Sequence, residues 1–309
     1  MIGWFLSLLI LGLVAFPWVM EAARRPMTAK EREKAPGQFA HLSQGITHYQ
    51  WTGPKDGPVV VCIHGLTTPS FVWQSTAKHL AGLGYRVLAY DLFGRGYSDR
   101  PSGRQTPAFF IRQLNELLDD QQVGGDLTVI GYSMGGAITA EFAASRSDDI
   151  RRVVLLAPAG MGIVASGWLR SLVRTPILGG WFMLLFYPRL LKKGLEAEKD
   201  LPGTVPGINA MQRAELTYRG FLPAVHASMR GMLSGDLQKA HGTLHRQGIP
   251  VLAMWGECDD VIPLTAKDRL AAWNPKSVHH VIDGAGHGLT YTHTSDVMKH
   301  IEAFLEKSA

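Results

Sequence analysis

The run Val59-Val60-Val61-Cys62-Ile63 carries no polar side chain on either face. A strand with one wet face alternates apolar and polar residues, because successive side chains point to opposite sides. A continuous apolar run, rich in β-branched residues and followed by Gly65, suits a strand buried on both faces, as in a parallel sheet. "YRVLAYD" at 85–91, "DLTVIGYS" at 126–133, "IRRVVLLAP" at 150–158, "IPVLAMWG" at 249–256 and "SVHHVID" at 277–283 read as further strands. Helical patterns fall between them, among them "SFVWQSTAKHLAGLG", "PAFFIRQLNELLDD" and "GGAITAEFAASR", with others around 265–273 and near 294–307. "QFAHLS" and "ITHYQWTG", on either side of Gly45, read as an opening hairpin. This alternation predicts an α/β fold, a mostly parallel sheet with helices on both faces.

The chain has 309 residues, 46% of them hydrophobic. That is enough for one large domain with an inserted subdomain. Residues 159–248 supply the insert: no strand pattern occurs there, and "WLRSLVRTPILGGWFMLLFYPRLL" is rich in bulky apolar groups. An insert after one strand reads as a helical cap over the sheet's C-terminal edge, where open α/β sheets bind ligands. Its apolar side chains either face a ligand or pack the cap's own small core. The expected organisation is an anchor at 1–20, a polar linker at 21–37, the core at 38–158 and 249–309, and the cap between.

"MIGWFLSLLILGLVAFPWVM" at the N-terminus has no charged side chain. As a helix it spans roughly 30 Å, the thickness of a bilayer core. Trp4 and Trp18 lie near its two ends, where interfacial aromatics belong. A signal peptide would want a basic start and a small-residue cleavage site. No Lys or Arg precedes the apolar run, and "VMEAARRP" offers no good site. An uncleaved membrane anchor is therefore expected over a signal peptide or a buried soluble helix. Arg24, Arg25, Lys30, Arg32 and Lys34 follow it, which places the main body on the cytoplasmic side by the positive-inside rule.

The formal net charge is +5 and is spread along the chain. No dense basic stripe interleaved with aromatics occurs, which argues against nucleic acid as a partner, while a mild positive bias suits anionic lipid. The two cysteines, Cys62 and Cys258, have no metal-ligand spacing and form no disulfide framework. Cys62, inside an apolar run, reads as a small core residue.

Between a strand and a helix stands "GYSMGG" at 131–136. Serine and glycine are common in turns. The strand–turn–helix context, however, is that of a nucleophile held on a tight, strained turn whose neighbours must lack side chains. The helix beginning at Met134 points its amides at the place where negative charge would develop. A serine nucleophile needs a base, and the base an orienting acid. "GECDDVIP" follows the strand "IPVLAMW", and "GAGHG" follows "SVHHVID", so an acid and His287 arrive on loops at the same sheet edge as Ser133.

With "HGLTTPSFVW", "YDLFGRGYSDRP", "GYSMGG", "WGECDDVIP" and "GAGHG" in this order, the chain resembles the α/β-hydrolase superfamily. The likeness covers about residues 45–305, with the cap as the variable part. It implies Ser133 as nucleophile, Asp259 as acid and His287 as base. Gly256, Asp259 and Pro263 fit the family's G-x-x-D-x-x-x-P pattern, which favours Asp259 over Asp260. The oxyanion-hole donors would be the amides of Met134 and Leu66. His64 then shapes its loop, and His279, His280 and His293 are surface or packing residues. The loop departs from the H-G-G-G pattern of some lipases and esterases. The chemistry implied is ester hydrolysis through an acyl-enzyme, with no cofactor and no metal. The anchor, apolar cap and positive bias suit a lipid-like ester, a monoacylglycerol or lysophospholipid, as in membrane-anchored monoacylglycerol-lipase-like hydrolases. A C–C bond hydrolase of a diketone-type substrate shares the "SMGG" elbow and helical cap. A non-catalytic, membrane-tethered binding protein on the same fold is the remaining alternative.

Overall fold

The structure is a computed structural model that describes residues 2–162 and 167–307. Eight strands form one sheet: β1 (Gln38–Leu42), β2 (Gly45–Thr52), β3 (Val59–Ile63), β4 (Arg86–Tyr90), β5 (Leu127–Tyr132), β6 (Ile150–Leu156), β7 (Val251–Gly256) and β8 (Val278–Ile282). Their order is β1-β2-β4-β3-β5-β6-β7-β8. The β1–β2 hairpin and the β2–β4 pairing are antiparallel. All other pairings are parallel.

The helices, in chain order, are α1 (Ile2–Ala22), α2 (Gln74–Gly82), α3 (Pro107–Asp120), α4 (Met134–Ser145), α5 (Gly167–Arg174), α6 (Pro176–Ala197), α7 (Ile208–Glu215), α8 (Phe221–Arg230), α9 (Gln238–Arg246), α10 (Thr265–Trp273) and α11 (Thr294–Lys307). Shorter helical turns occur at Ala29–Arg32 and Leu289–Thr292.

The apolar strands bury both faces. Val61 and Ile63 of β3, with Val129 of β5, point into a core shared with Leu114 of α3, Ala137 of α4 and Leu244 of α9. Val60, Cys62 and Ile130, one residue out of phase, point into a second core with Leu80 of α2 and Ile301 of α11. Burying one such aliphatic side chain contributes about 1.5–3 kcal/mol, so a one-residue slip would cost several of these at once and the register is strongly fixed. This double burial is the physical reason for helices on both faces.

Between β6 and β7 the described residues form five helices, α5 to α9. Met183 of α6 packs with Phe221, Leu222 and Val225 of α8 in a separate small apolar cluster, against which Leu66 also rests. Helix α9 differs: its Ala240 and Leu244 enter the main core beside α4.

Helix α1 is long and apolar enough to cross a membrane, and only 11% of its most apolar window is buried. Its C-terminal end is tied down on the cap. The Trp18 ring lies against Gly180 of α6. Glu21 Oε1 accepts from the Gly220 N–H at 2.6 Å. The chain then runs beside residues 217–219, with Arg25 donating to the Thr217 carbonyl at 3.2 Å and Arg219 to the Arg25 carbonyl at 2.8 Å. The polar stretch after it is held too: Thr28 caps the Ala29–Arg32 turn, Arg32 Nε donates to the Tyr97 carbonyl at 3.0 Å, and Glu31 accepts from the Tyr218 hydroxyl at 2.9 Å.

Candidate active site

Ser133 joins β5 to α4 with φ 53° and ψ −118°. An L-residue in this region costs on the order of 1–3 kcal/mol and persists only where its surroundings over-determine it. Here the Ser133 N–H donates to the Leu156 carbonyl at 2.9 Å, and its carbonyl accepts from Gly136 at 2.9 Å and Ala159 at 3.0 Å. The two motif glycines have a steric cause. A methyl on Gly135 would overlap the Ile63 and His64 carbonyl oxygens, and one on Gly131 would overlap the Thr139 hydroxyl and the Gly135 carbonyl. The strand, turn and helix thus touch backbone to backbone.

β7 ends at Gly256 and β8 at Ile282, on the same edge as Ser133. The loops beyond them carry Asp259 and His287. His287 Nε2 lies 3.0 Å from Ser133 Oγ. His287 Nδ1 lies 2.8 Å from Asp259 Oδ2. The other carboxylate oxygen, Oδ1, accepts from the N–H groups of Val261 and Ile262, each at 2.8 Å. With its orientation fixed on one side, the buried Asp259 holds the imidazole from the other. Asp260 is exposed. The structure therefore brings Ser133, His287 and Asp259 together, although 154 residues separate the first two.

Leu66 follows β3 on the adjacent loop. Among the described residues, no hydrogen bond occupies the amide N–H of Leu66 or of Met134. A methyl on Gly65 would sit 3.3 Å from the Ser133 Cβ, so this loop runs right beside the serine. Two unspent backbone donors on loops flanking a serine can hold a developing oxyanion.

The model of the alpha/beta hydrolase family matches residues 60–299. This chain belongs to the alpha/beta hydrolase family. It is 26% identical over 268 residues to an uncharacterised protein of Mycobacterium tuberculosis, covering 81% of this chain and 76% of that one. It is 25% identical over 266 residues to the pimeloyl-[acyl-carrier protein] methyl ester esterase of Aliivibrio salmonicida, covering 84% and 97%. The crystal structure of the enol-lactonase from Burkholderia xenovorans LB400 superposes with a TM-score of 0.72 at 20% identity, over 87% of this chain and all of that one, a likeness of fold.

Around the site this hydrolase carries a buried polar frame that the sequence reading missed. Arg95 is fully buried. Its Nε donates to the Leu66 carbonyl at 3.0 Å, Nη1 to Gln105 Oε1 at 2.6 Å and Nη2 to Ser228 Oγ on α8 at 2.8 Å. Burial lowers its pKa to about 9. One guanidinium thus links the Leu66 loop to the cap. His64 Nε2 accepts from the Leu92 N–H at 2.9 Å, and Nδ1 lies 2.8 Å from the Gly65 carbonyl. Burial lowers its pKa to about 4, so the ring is neutral and braces the loop.

Behind it, His48 Nδ1 pairs with Asp91 Oδ2 at 2.7 Å. Burial favours the neutral imidazole, but the Asp91 carboxylate outweighs it and raises the His48 pKa. Asp91 also accepts from the N–H groups of Ser70 and Tyr97, each at 2.9 Å. The signal for this frame was the pair of charges Asp91 and Arg95 in "YDLFGRGYSD" at the end of an apolar strand, a place where a buried charge has to be partnered.

His279 stacks on Trp255, His280 stacks on His300, and His293 meets the neighbouring Thr292 hydroxyl. Cys62 is buried, and Cys258 is exposed and free.

Proposed function

We propose that this chain is a serine hydrolase that cleaves a carboxylic ester, with Ser133 as nucleophile, His287 as general base and Asp259 as its orienting acid. The observation that carries the reading is the continuous relay from Ser133 Oγ through His287 to Asp259, at 3.0 and 2.8 Å. Both lie within the reach that proton transfer requires.

In the first half-reaction His287 Nε2 takes the Ser133 proton as Oγ attacks the ester carbonyl. The imidazolium that forms keeps its Nδ1–H on Asp259, which stabilises the charge without taking the proton. The tetrahedral oxyanion lies on the Met134 and Leu66 amides, where the start of α4 adds a favourable dipole. His287 then protonates the departing alcohol. In the second half-reaction it activates water against the acyl-enzyme, and the acid leaves.

We infer a lipid-like ester, a monoacylglycerol or lysophospholipid. Helix α1, read as a membrane anchor with the catalytic body on the cytoplasmic side, supports this. So does α6, which exposes Ile177, Leu178, Phe186 and Leu190 on the cap. Large exposed apolar patches mark binding or membrane surfaces.

The test is hydrolysis of esters from acetyl to long-chain monoacylglycerols in detergent, with Ser133→Ala as the blank. A serine-dependent rate that rises with acyl length is expected. A preference for short or aromatic esters would overturn the lipid assignment. No serine-dependent turnover of any ester would overturn the esterase reading and favour C–C bond cleavage or binding.

A further inference from the structure

A cavity opens between helix α1 and the cap, and none of the triad residues lines it. It has a volume of about 630 Å³, and Trp18 of α1, Met183 of α6 and Leu222 of α8 give it an apolar wall. Leu66 and Met134 do not line it either. Its size falls in the range of sites that enclose a small organic ligand.

Its charged lining is mostly cationic. Arg104, Arg219 and Arg230 all line it. Among the described residues none of the three is in an ion pair. The one carboxylate on the wall, Glu21, is already committed to Arg24 at 3.0 Å and to the Gly220 N–H. His226, also on the wall, spends its Nε2 on the Val173 carbonyl at 2.7 Å. Arg219 Nη1 also donates to the Ala22 carbonyl at 3.3 Å and Arg230 Nε to the Arg174 carbonyl at 3.0 Å. Among the described residues this leaves the remaining guanidinium N–H groups of both, and all of those of Arg104, for a ligand. Guanidinium is the donor that matches phosphate and carboxylate geometry.

We propose that this cavity binds an amphiphile with an anionic head, a phosphate or carboxylate on an acyl chain. The chain lies along Trp18, Met183 and Leu222, and the head meets Arg104, Arg219 and Arg230. The inference rests on the membrane reading of α1 and is independent of the triad. Trp18 stands near the C-terminal end of an apolar helix and Arg24 and Arg25 just beyond it, the level at which lipid head groups sit. Since α1 builds one wall and α6 and α8 the other, a bound lipid would bridge anchor and cap.

Native mass spectrometry of the full chain in neutral detergent tests this, with phosphatidylglycerol, phosphatidylcholine, oleate or inorganic phosphate added separately. Adducts with phosphatidylglycerol or oleate are expected to survive. Phosphatidylglycerol alone identifies the source as membrane phospholipid, and oleate alone as a released acyl product. Equal retention of phosphatidylcholine, or retention of inorganic phosphate only, overturns the proposal. Arg104 is exposed and makes no hydrogen bond or ion pair among the described residues, so Arg104→Glu does not threaten the fold. It should cut the retained adduct about ten-fold or more, the worth of one charge-assisted hydrogen bond. Arg230→Gln should act in the same direction. Unchanged adducts in both variants overturn the assignment. Carbonate extraction of membranes carrying the protein reads the anchor separately, so failure of the site is told apart from failure of the membrane reading.

Discussion

Arg95 Nε donates to the carbonyl oxygen of Leu66 at 3.0 Å, on the loop that runs beside Ser133 at Gly65. The same guanidinium reaches Ser228 on the cap. Lysine keeps the charge but has one donor atom, and it cannot span Leu66, Gln105 and Ser228 together. Arg95→Lys should lower stability by roughly 2–4 kcal/mol, because buried acceptors lose their partner. If the Leu66 amide is an oxyanion donor, as proposed, loosening its loop should lower kcat about ten-fold or more while KM changes less, since a misplaced donor affects the transition state first. Steady-state kinetics beside urea unfolding check both. A stability loss with unchanged kcat would make Arg95 structural only.

The elbow glycines can be tested by sterics alone. Gly135→Ala places a methyl on the Ile63 and His64 carbonyl oxygens, which are backbone atoms and cannot swing away. Overpacking of this kind costs about 1–3 kcal/mol or more, and the serine should lose its geometry with it. Gly82, at the end of α2, has nothing within 4 Å of a built methyl. Gly82→Ala should be neutral or stabilising by up to about 1 kcal/mol. Thermal midpoints of the two variants should move in opposite directions, or only the first should move.

The parallel strands were legible because double burial leaves a signature that no wet-faced strand shares. Val60 and Val61 enter different cores and both must be apolar. Ser133 was legible for a local reason, the need for bare backbone at Gly131 and Gly135. His287 and Asp259 were legible through the order of the motifs. Arg95 was not, because its partner Ser228 is 133 residues away on a helix of the insert, and a loop charge by itself carries no sign of burial. The placement of α9 was hidden for a related reason. Ala240 and Leu244 give the same helical stripe whether it packs on a cap or, as here, beside α4.

Two adjacent aspartates allow a sharp control. Asp259 holds His287, whereas the neighbouring Asp260 is exposed. Asp259→Asn would offer an amide to Nδ1 and favour the wrong tautomer, so kcat should fall by roughly 10³–10⁴. Asp260→Asn should leave kcat within about two-fold, as expected for a solvated loop charge. If the two variants lost activity equally, the assignment of the acid would be wrong.

The cap also carries a titrating contact. Glu215 of α7 accepts from the Gly96 N–H at 3.0 Å on the loop after β4, and it is buried. Burial raises its pKa from 4.5 to about 7, and Arg100, 4.0 Å away, opposes this only in part. In the unfolded chain the carboxyl ionises near 4.5, while in the folded protein it stays protonated until about 7. The unfolded state therefore binds fewer protons across that window, and stability falls as pH rises from about 4.5 to 7. Above it the loss is complete, on the order of 3 kcal/mol. Glu215→Gln keeps an oxygen for Gly96 and removes the titration. Urea unfolding at pH 5 and pH 8 should show variant and wild type close together at the lower pH. At the higher pH the variant should be the more stable. A difference that does not change with pH would mean that Glu215 is ionised throughout, with the Arg100 pair outweighing burial.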